Sequence, residues 1–109
     1  MKSENSFNEK IYSLLKKVPK GKVTTYKALA KALGTKAYRA VGQAMRCNPY
    51  APEVPCHRVV SASGKIGGFS GSWDPKSREV KRKINMLRKE GVKIEGNKIE
   101  LGKYNHKFN

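Results

Sequence analysis

Apolar residues recur every three or four positions near the start of the chain, a spacing typical of an amphipathic α-helix. Ser6 and Glu9 form a capping-box pattern where this helix is expected to begin. Residues 19–22, which contain proline and glycine, predict a turn after it. The apolar positions of this first predicted helix are Phe7, Ile11, Leu14, Leu15 and Val18.

The same spacing predicts two further helices close together in the sequence. Thr24 or Thr25 caps the second helix and Gly34 ends it, while the Asn48-Pro49 pair stops the third. Two helices joined by so short a connection predict a helix-turn-helix unit. Their apolar positions are Tyr26, Leu29, Ala30, Leu33, Ala37, Ala40, Val41, Ala44 and Met45.

The second half of the chain predicts a buried strand at residues 59–60, a glycine-rich loop at 63–72 and a fourth helix. Asp74 would cap this helix, with Pro75 at its first position. A small hairpin is expected around residues 96–97. The apolar positions of the last helix and the hairpin are Val80, Ile84, Leu87, Val92, Ile94, Ile99 and Leu101.

The length of 109 residues predicts a single domain, residues 1–109, with one modest core. The predicted fold class is mainly α (α+β): a compact helical domain with a helix-turn-helix motif, a short strand and a small C-terminal hairpin. The tail from about 103 to 109 has no clear periodicity and is a candidate for disorder.

The charge balance favours a polyanionic partner. Lys and Arg number 24 against 8 Asp and Glu, which gives a net charge of +16 and an isoelectric point near 10.1. Each phosphate that such a surface neutralises releases condensed counterions. The alternative is a well-solvated surface with no such partner. No apolar run or signal segment stands out, so we expect an intracellular, cytoplasmic protein without membrane contact.

The densest chemistry lies in residues 55–60, where Cys56 and His57 stand side by side. An imidazole or a cationic field near a thiol raises its thiolate fraction and makes it a strong nucleophile. In extended backbone the two side chains would point to opposite faces, so the imidazole would reach the thiol through a water. The alternative is a buried structural cysteine beside a surface histidine. Cys47 has no CxxC partner or paired histidine, so no metal site is predicted.

The outward face of the third predicted helix carries Arg39, Gly42, Gln43 and Arg46. Small residues let a helix backbone approach a nucleic-acid groove closely, while arginines contact phosphates or enter the base stack. The alternative is an exposed helix whose small residues only pack against a neighbour.

Three stretches together resemble the O6-alkylguanine-DNA alkyltransferases, over roughly residues 7 to 100. They are residues 55–71, with Pro-Cys-His-Arg-Val-Val and the glycine-rich loop, residues 23–30 and residues 39–49. The resemblance implies a DNA-repair protein, a methylated-DNA–protein-cysteine methyltransferase, that removes alkyl groups from O6 of guanine in one irreversible turnover. It implies no cofactor, no metal and no obligate protein partner.

By this resemblance Cys56 accepts the alkyl group, His57 acts as its base through a water, and Glu90 orients the imidazole. Asn48 braces the active-site turn, and the Tyr26 hydroxyl assists the departing guanine. The residues expected around the base are Tyr26, Val59, Phe69, Ser70 and Gly71.

The resemblance also implies binding of double-stranded DNA through the minor groove, with the lesion base flipped out. Arg39 would fill the space that the base leaves. The other expected contacts with DNA are Thr25, Ala37, Ala40, Gly42, Gln43 and Arg46. Phe69 stands where some members have tyrosine, and Cys47 where some have glycine. The amino-terminal domain of larger members is not in this sequence.

Two rival functions use the same residues. Non-enzymatic alkyltransferase-like proteins resemble this domain and bind lesions, but they generally carry Trp or another residue in place of Cys56. A helix-turn-helix regulator would need neither the glycine-rich loop nor the Pro-Cys-His-Arg motif.

Overall fold

The computed structural model describes residues 3–50, 53–69, 72, 74 and 76–108. Within them, five α-helices surround a short parallel pair of strands, which confirms the predicted mainly α class. The elements in chain order are α1 (Ser3–Leu15), β1 (Thr24–Thr25), α2 (Tyr26–Leu33), α3 (Tyr38–Arg46), a 3₁₀ turn (Cys56–Arg58), β2 (Val59–Val60), α4 (Arg78–Lys89) and α5 (Leu101–Tyr104).

The first three helices pack against one another as the apolar spacing predicts. Thr25 caps α2 by accepting a hydrogen bond from the Ala28 backbone N–H at 3.0 Å, and Gly34 ends it with a left-handed backbone. The Tyr12 hydroxyl donates to the Ala44 carbonyl at 3.0 Å and ties α1 to α3. The buried residues of this cluster are Ile11, Tyr12, Leu15, Val18, Leu29, Ala30, Val41, Ala44, Val54 and Val59.

The predicted strand at 59–60 is confirmed, and its partner is the short extended passage before α2. Thr24 pairs with Val59 and Thr25 with Val60 in parallel register. Both strands are fully or nearly buried, so this pair lies at the centre of the molecule. It fixes the turn before Val59 relative to the start of α2.

Two predicted helix starts are wrong. Ser6 lies inside α1, which already begins at Ser3, so Ser6 does not occupy the non-helical cap position. The fourth helix is capped by Ser77, whose Oγ accepts from the Val80 N–H at 3.2 Å. The Asp74 carboxylate accepts instead from the Lys76 N–H at 2.9 Å, in a turn ahead of the helix. Pro75 lies outside the described residues.

Of the predicted C-terminal hairpin, the structure forms the turn but no named strands on either side of it within the described residues. Glu95 and Lys98 exchange two backbone hydrogen bonds at 3.1 and 3.0 Å around Gly96 and Asn97, both with positive φ. Leu101, expected in the second strand, instead begins α5.

In the tail that was a candidate for disorder, residues 104 and 106 bond to the middle of the chain, and Asn109 lies outside the described residues. The Val23 N–H donates to the Tyr104 carbonyl at 2.8 Å, and the His106 N–H donates to the Val23 carbonyl at 2.7 Å. Tyr104 is buried. These contacts are distant in sequence, which is why local periodicity did not predict them. Among the described helices, none has the length and apolar composition that crossing a bilayer requires.

Candidate active site

A cavity of about 610 Å³ opens between α3, the start of α2 and the loop that follows β2. Its lining combines one thiol, three aromatic rings and two arginines with small residues that leave room for a ligand. The lining residues are Tyr26, Tyr38, Arg39, Gly42, Gln43, Met45, Arg46, Cys56, Gly68 and Phe69. The cavity thus brings together predicted site residues from three separate stretches of sequence.

Cys56 is a half-buried free thiol on the wall of this cavity. Its backbone is not the extended one considered above, because residues 56–58 form a 3₁₀ turn. The Cys56 N–H donates to the Val54 carbonyl at 2.9 Å, and the Arg58 N–H donates to the Pro55 carbonyl at 2.9 Å. In this turn, adjacent side chains do not alternate between opposite faces as they would in a strand.

His57 is 2% exposed and lies against the end of α4. Its Nε2 is 2.9 Å from Oε2 of Glu90. A carboxylate only accepts hydrogen bonds, so Nε2 carries the proton and Nδ1 is the accepting nitrogen of the neutral ring. Burial lowers the pKa of His57 below 6.5, although the Glu90 carboxylate opposes this shift. The imidazole is therefore neutral at pH 7 and can accept a proton.

The Glu90 carboxylate is held by Arg58 as well. Arg58 Nε donates to Oε1 at 2.9 Å and Nη2 donates to Oε2 at 2.7 Å, while Nη1 donates to the Val18 carbonyl at 2.7 Å. Burial alone would raise the pKa of Glu90, but the hydrogen bonds from Arg58 and His57 outweigh it and lower the pKa. The carboxylate stays ionised, so it can orient the imidazole and stabilise its protonated form.

Asn48 connects the end of α3 to the segment before Cys56. Its side-chain amide donates to the Val54 carbonyl at 2.8 Å, and its side-chain oxygen accepts from the Tyr50 N–H at 2.9 Å. This placement agrees with a bracing role for the active-site turn.

Tyr26, the first residue of α2, places its ring on the cavity wall. Burial and the nearby Cys56 raise the pKa of its phenol to about 12, against a hydrogen bond from the Gly68 backbone. The phenol keeps its proton at neutral pH and can donate it. Gly67 has a positive φ, which an L side chain rarely adopts, so glycine is the residue that fits this loop beside the Tyr26 ring without backbone strain.

Lys83 lies close to the site, although the sequence pattern did not single it out. It is fully buried, and its ammonium donates to three carbonyls, Val59 at 2.6 Å, Ile66 at 2.6 Å and Gly68 at 2.9 Å. Burial lowers its pKa to about 7, whereas the nearby Cys56 opposes the shift. Only the ammonium has three donors for three carbonyls, so these bonds favour the charged form. A signal did exist, since Lys83 shares the helical face of Val80 and Leu87.

The predicted DNA contacts divide into two groups. Arg39, Gly42, Gln43 and Arg46 all line the cavity, as the helix spacing predicts. The others do not line it: Ala37 is exposed at the α3 N-cap, Ala40 is half-buried, and Thr25 is 7% exposed with its hydroxyl engaged as the α2 cap. A side-chain contact of Thr25 with DNA has no support in this placement.

The predicted base contacts are only partly described. Phe69 lines the cavity, and Val59 lies buried beside it with its carbonyl bonded to Lys83. Ser70 and Gly71 lie outside the described residues. Among the described residues, no group of three His, Cys, Asp or Glu side chains is arranged to hold a metal ion.

Residues 6–92 match the family model described as "6-O-methylguanine DNA methyltransferase, DNA binding domain". The chain belongs to this family. The methylated-DNA–protein-cysteine methyltransferase of Saccharolobus islandicus is 46% identical over 88 residues, which are 81% of this chain and 52% of that protein. A bifunctional methyltransferase/endonuclease of Picrophilus torridus is 40% identical over 95 residues, 86% of this chain and 30% of that protein. The chain thus spans at most about half the length of these methyltransferase-family relatives.

Two solved structures share this fold, but the match covers different fractions of their chains. Atl1 of S. pombe, crystallised with damaged DNA containing O6-carboxymethylguanine, has a TM-score of 0.81 and 33% identity. The match covers 98% of this chain and 99% of Atl1. The O6-methylguanine-DNA methyltransferase of Pyrococcus kodakaraensis has a TM-score of 0.66 and 47% identity, covering 79% of this chain and 46% of that one.

We expect Lys83→Met to lower the free energy of unfolding by about 2–4 kcal/mol, because three buried carbonyls lose their charged donor. Urea unfolding followed by circular dichroism measures this. Lys81→Met, exposed on the same helix, is the control and should change stability by less than about 0.5 kcal/mol. Equal stability of the two variants would contradict a structural role for the Lys83 ammonium.

Proposed function

We propose that the protein repairs DNA by transferring the alkyl group of O6-alkylguanine to Cys56, in one irreversible turnover. The observation that carries this proposal is the free Cys56 thiol on the wall of a cavity of about 610 Å³, one residue before His57, whose imidazole pairs with Glu90. The acceptor belongs to the protein and the alkyl group arrives with the DNA, so the reaction needs no cofactor.

The chemistry follows from the protonation states of three side chains. Neutral His57 takes the thiol proton, directly or through a water, and Glu90 stabilises the resulting imidazolium. The sulfur attacks the alkyl carbon, so the S–C bond forms as the bond from carbon to O6 breaks. The departing guanine gains negative charge, and the protonated Tyr26 phenol can donate to it. The products are an S-alkyl cysteine and an unmodified guanine.

Duplex DNA presents O6 inside the base stack, so the lesion base must leave the helix to reach Cys56. Arg39 lies exposed on the cavity wall, where its side chain can fill the vacated position. Gly42 has no side chain to project from this face of α3, so the helix backbone can approach a minor groove closely. We therefore propose double-stranded DNA containing O6-alkylguanine as the partner.

A second candidate function is lesion binding without transfer. It is favoured by the structural likeness to Atl1 of S. pombe, which was crystallised with damaged DNA containing O6-carboxymethylguanine. The thiol of Cys56 on the cavity wall favours transfer, because a pure lesion binder has no use for a nucleophile there.

Incubation with a duplex containing O6-methylguanine should add one methyl group in place of one hydrogen, at Cys56. Cys56→Ala should bind the duplex and gain no mass, because the acceptor sulfur is gone. Intact-protein and peptide mass spectrometry measure both, with Cys47→Ala as the matched control that should still be alkylated. Binding by the unaltered protein with no mass gain would favour the lesion-binding function instead.

Arg39→Ala should slow repair of a duplex more than it slows transfer from free O6-methylguanine, because only the duplex requires base extrusion. Single-turnover rates on the two substrates give the ratio, for which we expect a loss of at least about tenfold on duplex. Lys36→Ala, two positions before Tyr38 and exposed, is the control. Equal losses on both substrates would contradict the assignment of Arg39.

The rate of transfer from free O6-methylguanine should be constant at neutral pH and fall only below pH 6.5, because burial lowers the pKa of His57. In Glu90→Gln the carboxylate that opposes this shift is gone, so the fall should move to still lower pH and the plateau rate should drop. Glu79→Gln on the same helix is the control. A fall that moved to higher pH in Glu90→Gln would refute the role of His57 as base.

A further inference from the structure

A second groove, of about 530 Å³, runs along the outer side of α4 and is lined by four cationic side chains and one amide. The lining residues are Lys76, Arg78, Lys81, Arg82 and Asn85. No acidic residue is among them. Cations placed side by side repel one another, and an anionic ligand relieves this repulsion.

The register of α4 produces this groove. Val80, Lys83 and Leu87 are buried, so residues 78, 81, 82 and 85 share the opposite side of the helix. Within the part of the chain that the structure describes, the side chains of Lys76, Arg78, Lys81 and Asn85 make no hydrogen bond or ion pair. Their donors are therefore available to a ligand.

Arg82, which lines the groove, contacts Phe69, which lines the candidate active site. The Phe69 ring lines the cavity that holds Cys56, and the Arg82 guanidinium carbon lies 5.4 Å from the centroid of that ring. One aromatic side chain thus lines the candidate active site and contacts a cation that lines the groove. In a nucleic acid each base is attached through its sugar to the phosphate backbone, so a site that takes up one base has phosphates of the same strand close to it.

We infer that the α4 groove binds phosphates of the DNA strand next to the nucleotide whose base enters the cavity. This inference rests on the proposed function, because it takes the cavity as the base site. The DNA interface then extends beyond α3 to α4, and the groove helps to hold the strand while the base is extruded. Phosphate contacts of this kind position the duplex without reading its sequence.

The test compares Lys76→Ala/Lys81→Ala with a control pair, Lys93→Ala/Lys98→Ala. Both double variants lose two charges, but Lys93 and Lys98 lie among Glu95 and Glu100 at the far end of the chain. The probe is a fluorescein-labelled, unmodified duplex of about two helical turns, with affinity measured by anisotropy over a series of salt concentrations. Transfer from free O6-methylguanine is measured in parallel.

Each phosphate contact contributes about 0.9 to the slope of log affinity against log salt, so the groove variant should lose about 1.8 from this slope. Over a fourfold rise in salt concentration, the unaltered protein should therefore lose on the order of tenfold more affinity than the groove variant. The control pair should keep a slope close to that of the unaltered protein. Both variants should transfer from the free base at the unaltered rate, since neither touches the cavity.

Equal slopes for the two double variants would overturn the inference, because the effect would then come from net charge alone. This outcome is separate from failure of the proposed function, which is read from alkyl transfer by the unaltered protein. A reduced slope in the groove variant together with no transfer would leave the groove in place as part of a lesion-binding protein.

Discussion

The carboxylate of Glu90 is the contact on which the arrangement of this site depends. It forms a bidentate ion pair with Arg58 and accepts one hydrogen bond from His57. The turn carrying Cys56 is thereby fixed to the end of α4. The remaining Arg58 donor reaches the Val18 carbonyl and fixes the same turn to the segment after α1. Such a network is stable in a partly buried place because each charge in it has a partner.

A second buried polar group, Lys83, lies about two turns before Glu90 on α4. Its three carbonyl acceptors belong to β2 and to the loop that carries Gly68, so one ammonium joins the strand after Cys56 to the cavity wall. Together, Glu90 and Lys83 let α4 position the thiol turn and the loop that faces it. An apolar helix could pack here, but it could not fix the loop by directed bonds.

The buried and the exposed charges of this protein have different roles. The buried charges are paired or hydrogen-bonded, and they fix the positions of the site residues. The exposed cations of α3 line the cavity, and those of α4 line the neighbouring groove. This explains how a chain with a net charge of +16 remains compact: most of its excess charge is on the surface, where a polyanion can neutralise it.

The amino-acid sequence by itself determined helices α1 to α4, apart from the exact starts of α1 and α4, and the residues that carry the candidate chemistry. The spacing of Ile11, Leu15, Leu29 and Val41 defines the buried faces, and Gly34 and Thr25 bound α2, because these signals act over a few residues. The Pro-Cys-His-Arg motif singled out Cys56 as the candidate nucleophile, and resemblance to a family pointed to Glu90. Only the tertiary structure decided that Arg58 and His57 share one carboxylate, that Lys83 is a core residue and that the tail pairs with Val23. These contacts join residues far apart in the chain, and local periodicity carries no information about which distant groups satisfy a buried charge or an open backbone donor.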